Sequence, residues 1–320
     1  MNNKKDIIPI FFSVDDNYIP YLAVALKSII LNASKKHNYK AIVLHQDVEE
    51  SNIKKVMALK QEGFDIEFVP MEDCLGSITD RMSNRLRADY FTLTIYFRLF
   101  IPAMFPEYDK GIYLDSDIVV PGDISELYET ELNGNLIGAS VDYSIQNIPE
   151  FAKYTERGIG VHISKYINSG VLLMNLKKLR EASIDKRFLE LLNTYHFDTI
   201  APDQDYLNAL CNGKIQYLPG TWDTMPEENS EVVNQPKLIH YNLFAKPWCY
   251  DNIQYEDYFW NYAKETEFYS EIRKHKENYS ASQKESDKEC IGRMIRLALE
   301  IADKEENFRT VFDQGKERRL

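Results

Sequence analysis

The sequence predicts an α/β fold, a mixed and mostly parallel sheet flanked by helices, with a helical C-terminal extension. Three observations predict it. Strand-like and helix-like segments alternate from the first apolar run onward, which marks βαβ units. Ile7 to Val14 and the run around Val171 to Met174 are short and apolar on both faces, as strands buried inside a parallel sheet are. After about Asp251 the strand signals stop and helical patterning takes over.

In order, Ile7 to Val14 is an almost wholly apolar strand, and Pro20 opens a helix over Tyr21 to Asn32. Tyr39 to His45 reads as a strand, Ser51 to Gly63 as a helix and Phe64 to Pro70 as a third strand. Thr92 to Phe105 has helical spacing and leads into the Gly111 to Leu114 strand, which ends on Asp115. Leu136 to Val141 is a strand ending on Asp142, and Tyr166 to Asn175 contains another, around Val171-Leu172-Leu173-Met174. Helices are expected over Lys177 to Tyr195 and Asp203 to Cys211, with short strands at Ile215 to Pro219 and Lys237 to His240. Residues 1–250 form the expected catalytic domain and 251–320 the extension. The extension carries a charged break from His275 to Glu289, then a stripe of Ile291, Met294, Ile295, Ala298 and Ile301. Charges of both signs flank that stripe, which favours docking on protein, with a membrane surface as the alternative partner.

A net charge of −12 argues against a nucleic-acid partner, which needs a basic face to neutralise phosphates. The same field means that an anionic substrate must be held by a metal or by a few local cations. The four cysteines, Cys74, Cys211, Cys249 and Cys290, lack any metal-ligand spacing and read as free thiols of a reducing compartment. Met1 to Asp6 has no apolar signal-peptide core, and no run approaches the roughly 20 apolar residues that span a bilayer. The expectation is a cytoplasmic protein, with the inner membrane face as its one peripheral alternative.

Polar residues gather where strands end, the side on which open α/β sheets bind ligands. Asp15, Asp16 and Asn17 follow the first strand, Asp115 and Asp117 a middle one, and Asp142 a third. Each alone reads as a turn or cap residue, but their shared placement points to a site. In Tyr113-Leu114-Asp115-Ser116-Asp117-Ile118-Val119, two acids one residue apart can present oxygens to one hard cation, Mg²⁺ or Mn²⁺. Far downstream, Ile239-His240-Tyr241 precedes Lys246-Pro247-Trp248. If His240 joins the two aspartates, the imidazole favours Mn²⁺ over Mg²⁺. Lys246 then offers a compact positive charge to a departing phosphate.

These segments resemble glycosyltransferase family eight, in the pattern of the bacterial lipopolysaccharide α-galactosyl- and α-glucosyltransferases. The resemblance spans about residues 7 to 250. Its motifs are Phe12 to Tyr18, Tyr96-Phe97-Arg98-Leu99, Tyr113 to Val119, Tyr166 to Leu176, Pro202 to Asn208, and His240-Tyr241 with Lys246-Pro247-Trp248. It implies the GT-A fold, a UDP-sugar donor, Mn²⁺ and retention of anomeric configuration. By motif, Asp115, Asp117 and His240 would be metal ligands, Asp15 and Asn17 would hold uridine and ribose, and Lys246 the diphosphate. Arg98, Asp142, Asn168, Asp203 and Gln204 would surround the donor sugar, with Gln204 nearest the anomeric carbon. One position departs from the pattern: Leu243 stands where the family often has a glycine against the diphosphate.

The expected reaction moves a hexose, galactose or glucose, to a hydroxyl of a glycan, glycolipid or glycoprotein. Two other functions compete. A haloacid-dehalogenase-like phosphatase also places D-x-D after a strand, but there the first Asp usually ends the domain's first strand, whereas three strand candidates precede Asp115. A catalytically inactive UDP-sugar-binding protein would keep the fold and lose transfer. Retention of both aspartates, His240 and Lys246 weighs against that decay.

Overall fold

β1 (Ile7–Val14) is the spine of the molecule, with Ile8, Ile10, Phe11, Phe12 and Val14 all buried, so both of its faces are covered. The computed structural model describes residues 7–71, 93–227 and 232–320. β1 pairs in parallel with β2 (Asn38–His45), and β2 with β3 (Phe64–Pro70). On its other side β1 runs parallel to β4 (Gly111–Leu114), with Ile10 opposite Ile112. β7 (Val171–Met174) is antiparallel to β4 and to β6 (Ile137–Ala139), while β8 (Ile215–Tyr217) runs parallel to β6. The order is β3-β2-β1-β4-β7-β6-β8. β5 (Ile118–Val119) and β9 (Ile239–His240) form a separate antiparallel pair.

This order positions the site. β1, β4, β6 and β8 all finish at one edge of the sheet, and the reversed strand β7 begins there. The loops after Val14, Leu114, Ala139 and Tyr217 therefore meet the Asn168-Ser169-Gly170 approach to β7 at a single edge.

Helices cover both faces. α1 (Ile19–Asn32) starts with Pro20 in its first turn, where a missing N–H costs nothing, and lies on the face lined by Ile8, Ile10 and Phe12. α2 (Glu50–Met57) is shorter than its spacing predicts, and Gly63, at φ +81°, turns the chain into β3. The helix expected over Thr92 to Phe105 is instead a 3₁₀ segment, Leu93–Leu99, followed by the short α3 (Ile101–Met104), with Pro102 in its first turn; Thr92 lies outside the described residues. α4 (Ile124–Glu129) and α5 (Pro149–Tyr154) follow, the latter running into a π-helical turn, Thr155–Ile159. The long helix expected from Lys177 is two, α6 (Leu176–Glu181) and α7 (Ile184–Tyr195), broken where Ser183 adopts a left-handed backbone.

α8 (Pro202–Cys211) is buried along its whole length. Its Asn208 side chain exchanges two hydrogen bonds with the backbone of Ile167, donating to the carbonyl and accepting from the N–H, both at 2.9 Å. That pins the helix to the segment entering β7. Asp205 accepts from Tyr154 Oη (2.5 Å), Tyr166 Oη (2.6 Å) and the amides of Ile200 and Ala201. Burial outweighs these bonds and pushes its carboxyl up to about 6. The folded state thus holds this proton above the ordinary value near 4, so the chain should lose stability as pH rises from about 4 to 6. Asp205→Asn should remove that slope, worth at most about 3 kcal/mol; urea midpoints at pH 4.5 and 7 test it, and equal slopes in both proteins would reject it.

The C-terminal stretch is helical through the expected charged break. α9 (Glu256–Ala263) and α10 (Tyr269–Asn278) pack on α1. The chain pauses only at Tyr279-Ser280, where Ser280 and Gln283 form a capping box that starts α11 (Ala281–Ala302). The predicted apolar stripe lies on this helix. Met294, Ala298 and Ile301 are buried where α11 packs on α5 and the π turn, Ile295 is partly buried against the same core, and Ile291 stays exposed. Most of the stripe is therefore spent on the chain itself. α12 (Phe308–Asp313) closes against α8 through Phe308, whose ring lies 4.8 Å from Tyr206. Among the described residues no helix is long and apolar enough to cross a membrane. Cys211, Cys249 and Cys290 are buried and form no disulfide among the described residues, and Cys74 lies outside the described residues.

Candidate active site

Asp115 leaves β4 with its amide bonded to the carbonyl of Gly170 (2.8 Å), so the β4 end and the β7 start are fixed to each other. Three residues on, β5 pairs with β9 so that Ile118 lies opposite His240, and the Tyr241 amide donates to the Asp117 carbonyl (2.9 Å). A two-residue ladder thus carries a histidine from 125 positions downstream to the paired acids. His240 Nε2 lies 3.3 Å from Asp117 Oδ1 and 3.9 Å from Asp115 Oδ2. One ligand atom from each of the three residues falls within 4.8 Å of the others.

Gly170 makes the room. A Cβ there would stand 2.4 Å from His240 Cε1, 2.8 Å from Asp115 Oδ2 and 3.0 Å from Asn168 Oδ1. Gly170→Ala should therefore displace the imidazole and destabilise the fold by about 1–3 kcal/mol. A urea melt checks this, and wild-type stability in the variant would contradict it.

The electrostatics are arranged around cations. Burial would raise the Asp117 carboxyl, but Lys246 and His240 outweigh it and hold it well below the usual carboxylate range. Lys246 Nζ donates to Asp117 Oδ2 and to the Tyr241 carbonyl. Burial would lower the His240 imidazole, but Asp117 and Asp223 raise it to about 10. Asp117 Oδ1 is buried and makes no hydrogen bond among the described residues. A bare carboxylate oxygen beside a second carboxylate and an imidazole fits a divalent cation.

Beside this trio lies a second polar network. The buried Arg98 donates from Nη2 to Asp115 Oδ1 (2.8 Å), from Nη1 to the Ser169 carbonyl (2.7 Å) and from Nε to the Ile95 carbonyl (3.1 Å). Its Nη1 is also 3.0 Å from Asp203 Oδ2, and the guanidinium covers the Tyr113 ring at 4.2 Å. Gln204 Nε2 donates to Asp142 Oδ2 (2.9 Å), Asn168 Nδ2 donates to the same oxygen (3.3 Å), and Gln204 Oε1 accepts from the Ser169 amide (3.0 Å). Asp115, Asp117, His240 and Lys246 thus form one cluster. Arg98, Asp142, Asn168, Asp203 and Gln204 form a second, joined to the first by Arg98. Asp15 and Asn17 stand apart on the next strand end, where Asp15 accepts from the Tyr18 amide (3.2 Å) and Asn17 is exposed.

Leu243 takes φ +52°, the left-handed conformation that glycine adopts without strain and leucine does not. The loop has the backbone shape of a glycine turn with a leucine in it. Its far end is held by Trp248, stacked on Tyr21 at 4.0 Å. Sequence reasoning missed Asp223. It follows no strong strand and belongs to no motif, yet its Oδ1 lies 3.0 Å from His240 Nδ1.

Residues 9–252 match Glycosyl transferase family 8, and the chain belongs to that family. It is a glycosyltransferase with a GT-A fold. A Haemophilus influenzae relative is 30% identical over 247 residues, covering 75% of this chain and 72% of its own. The Escherichia coli lipopolysaccharide 1,2-glucosyltransferase is 26% identical over 275 residues, 79% of this chain and 77% of its own. Among solved structures, the galactosyltransferase LgtC in complex with donor and acceptor sugar analogues superposes with a TM-score of 0.68. It is 29% identical, covering 81% of this chain and 96% of LgtC. The bifunctional glycosyltransferase WbbM gives a TM-score of 0.72 at 24% identity over 87% of this chain; the match spans 53% of WbbM and speaks for the fold alone. Family membership removes the phosphatase alternative.

Proposed function

We propose that this protein transfers a hexose, glucose or galactose, from a UDP-sugar to a hydroxyl of a glycan, glycolipid or glycoprotein, with retention of configuration. The observation that carries it is the meeting of Asp115, Asp117 and His240 around one point, beside Lys246. In this reading these three residues hold Mn²⁺, or Mg²⁺ in its place, which supplies Lewis-acid stabilisation of the charge that builds on the leaving diphosphate. Residues 1–250 are the catalytic unit and 251–320 its helical extension. The names of the relatives support a hexose donor and a lipopolysaccharide-type acceptor, which suits a cytoplasmic enzyme working at the inner membrane face.

The chain's own groups divide the work. Lys246 neutralises the departing phosphate, an interaction that strengthens in the transition state. Asp15 and Asn17 hold the nucleoside. Arg98, Asp142, Asn168, Asp203 and Gln204 frame the sugar. Attack by the acceptor hydroxyl on the face that UDP leaves, with the departing phosphate taking the hydroxyl proton, fits these residues better than a covalent intermediate. Asp203 is tied to Arg98 and Ser169, and both oxygens of Asp142 accept hydrogen bonds. Gln204 carries an amide, a feeble nucleophile.

UDP release from a panel of UDP-sugars, with and without Mn²⁺, tests the reading. Metal-dependent turnover of one hexose donor is expected. Metal-dependent UDP binding without turnover or transfer to any acceptor would favour the inactive binding protein, and no metal-dependent UDP binding would reject the site.

A further inference from the structure

The assignment of Asp115, Asp117 and His240 as metal ligands leaves one buried acid without a task. Asp223 has no solvent exposure and His240 almost none, and Asp223 Oδ1 lies 3.0 Å from His240 Nδ1. The second oxygen, Oδ2, is buried with no hydrogen-bond partner among the described residues. A carboxylate stripped of water and given one bond is expensive to bury. Here its one bond goes to the ring whose other nitrogen faces Asp115 and Asp117. The backbone fixes the pair. His240 donates its amide to the Thr224 carbonyl (2.8 Å), Thr224 donates to the Leu238 carbonyl (3.0 Å), and Thr224 bridges Ile239 in parallel. Carboxylate and imidazole are therefore carried on paired segments.

We propose that Asp223 is a positioning residue for the metal centre, holding the His240 ring with its proton on Nδ1 so that Nε2 is the nitrogen that gives up its proton and turns its lone pair to a metal bound beside Asp115 and Asp117. The inference rests on the metal-ligand reading given above. The chemical reason lies in the donor inventory. An ionised carboxylate only accepts, so it is satisfied only by an N–H at Nδ1. An amide in its place offers an acceptor and a donor, and when its NH₂ faces Nδ1 the proton moves to Nε2, where a metal must bind. Groups that hold the far nitrogen of a metal-bound histidine are typically worth 10–100-fold in metal affinity.

The test is Asp223→Asn, close to isosteric, titrated calorimetrically with Mn²⁺ at saturating UDP. Affinity should fall 10–100-fold while the metal-free variant melts within a few degrees of wild type. The second readout is ¹⁵N–¹H spectroscopy of the histidine rings with Zn²⁺ as a diamagnetic stand-in. Wild type should show a downfield, slowly exchanging proton on His240 Nδ1, and the variant should move it upfield. A merely structural Asp223 would lower the melting temperature and leave that signal alone. Unchanged Mn²⁺ affinity in the variant, or a proton on Nε2 in the loaded wild type, would overturn the proposal. If the variant does not fold, the wild-type spectrum alone decides. Absence of Mn²⁺ binding by wild type would instead sink the ligand assignment itself, and this inference with it.

Discussion

Asp117→Asn should lower metal-dependent UDP release by about 10³-fold or more, because the substitution strikes three interactions at once. Asp117 presents the bare Oδ1 to the proposed metal, takes Lys246 on Oδ2 and faces His240. An asparagine keeps the shape but removes the charge, so the cation loses one of its two carboxylate ligands and Lys246 loses its counter-ion. The pH sign follows from the depressed carboxyl. Its contribution to stability is present above the unfolded value near 4 and is lost as pH falls from there toward the lower folded value. The variant should therefore show a weaker loss of stability on acidification below pH 4. Calorimetric Mn²⁺ binding, UDP release and acid unfolding curves measure the three consequences. Metal-dependent turnover within tenfold of wild type would remove Asp117 from the ligand set.

Arg98→Ala should destabilise the fold by about 3–5 kcal/mol and reduce turnover by on the order of 10²-fold. The guanidinium is the joint between three separately encoded pieces: Asp115 after β4, Ser169 before β7 and Asp203 on α8. Truncation leaves two carboxylates facing each other without the buried cation between them. The loss in turnover comes from misplacing Asp115 and Asp203. Arg98→Lys separates charge from geometry. A single ammonium restores part of the stability but cannot fork to all three partners, so turnover should stay low. Urea unfolding of both variants beside their UDP release is the check. An alanine variant within about 1 kcal/mol of wild type would show that the joint carries no weight.

Much of the fold was legible because period and burial write directly into composition. β1 and β4 begin and end where their apolar runs do, since both of their faces are covered, whereas the edge strand β3 alternates buried Phe64 and Ile66 with exposed Asp65 and Glu67. Helix limits were less legible. Spacing across Lys177 to Tyr195 continues through Ser183, whose left-handed backbone breaks the helix with no signal in the apolar pattern. The charged stretch from His275 to Glu289 looked like a break because it lacks an apolar face. It is helical because the Ser280 and Gln283 cap starts a new helix there, and the later apolar stripe docks that helix on α5.

The sequence by itself determined the chemistry on offer: two acids after a buried strand, a histidine and a lysine downstream, and a run of amides and acids around Asn168 and Gln204. It also determined that strand ends would carry them, because Asp and Asn are favoured where a chain leaves a sheet. Only the tertiary structure decided which of them meet. The reversal of β7 brings its amino end beside the carboxyl end of β4, and the two-residue pairing of β5 with β9 brings His240 to Asp117. Both are contacts between residues far apart in the chain, and no local pattern encodes them. Asp223 shows the same limit from the other side: a lone acid with no motif becomes the partner of His240 only because the chain turns after β8 toward β9.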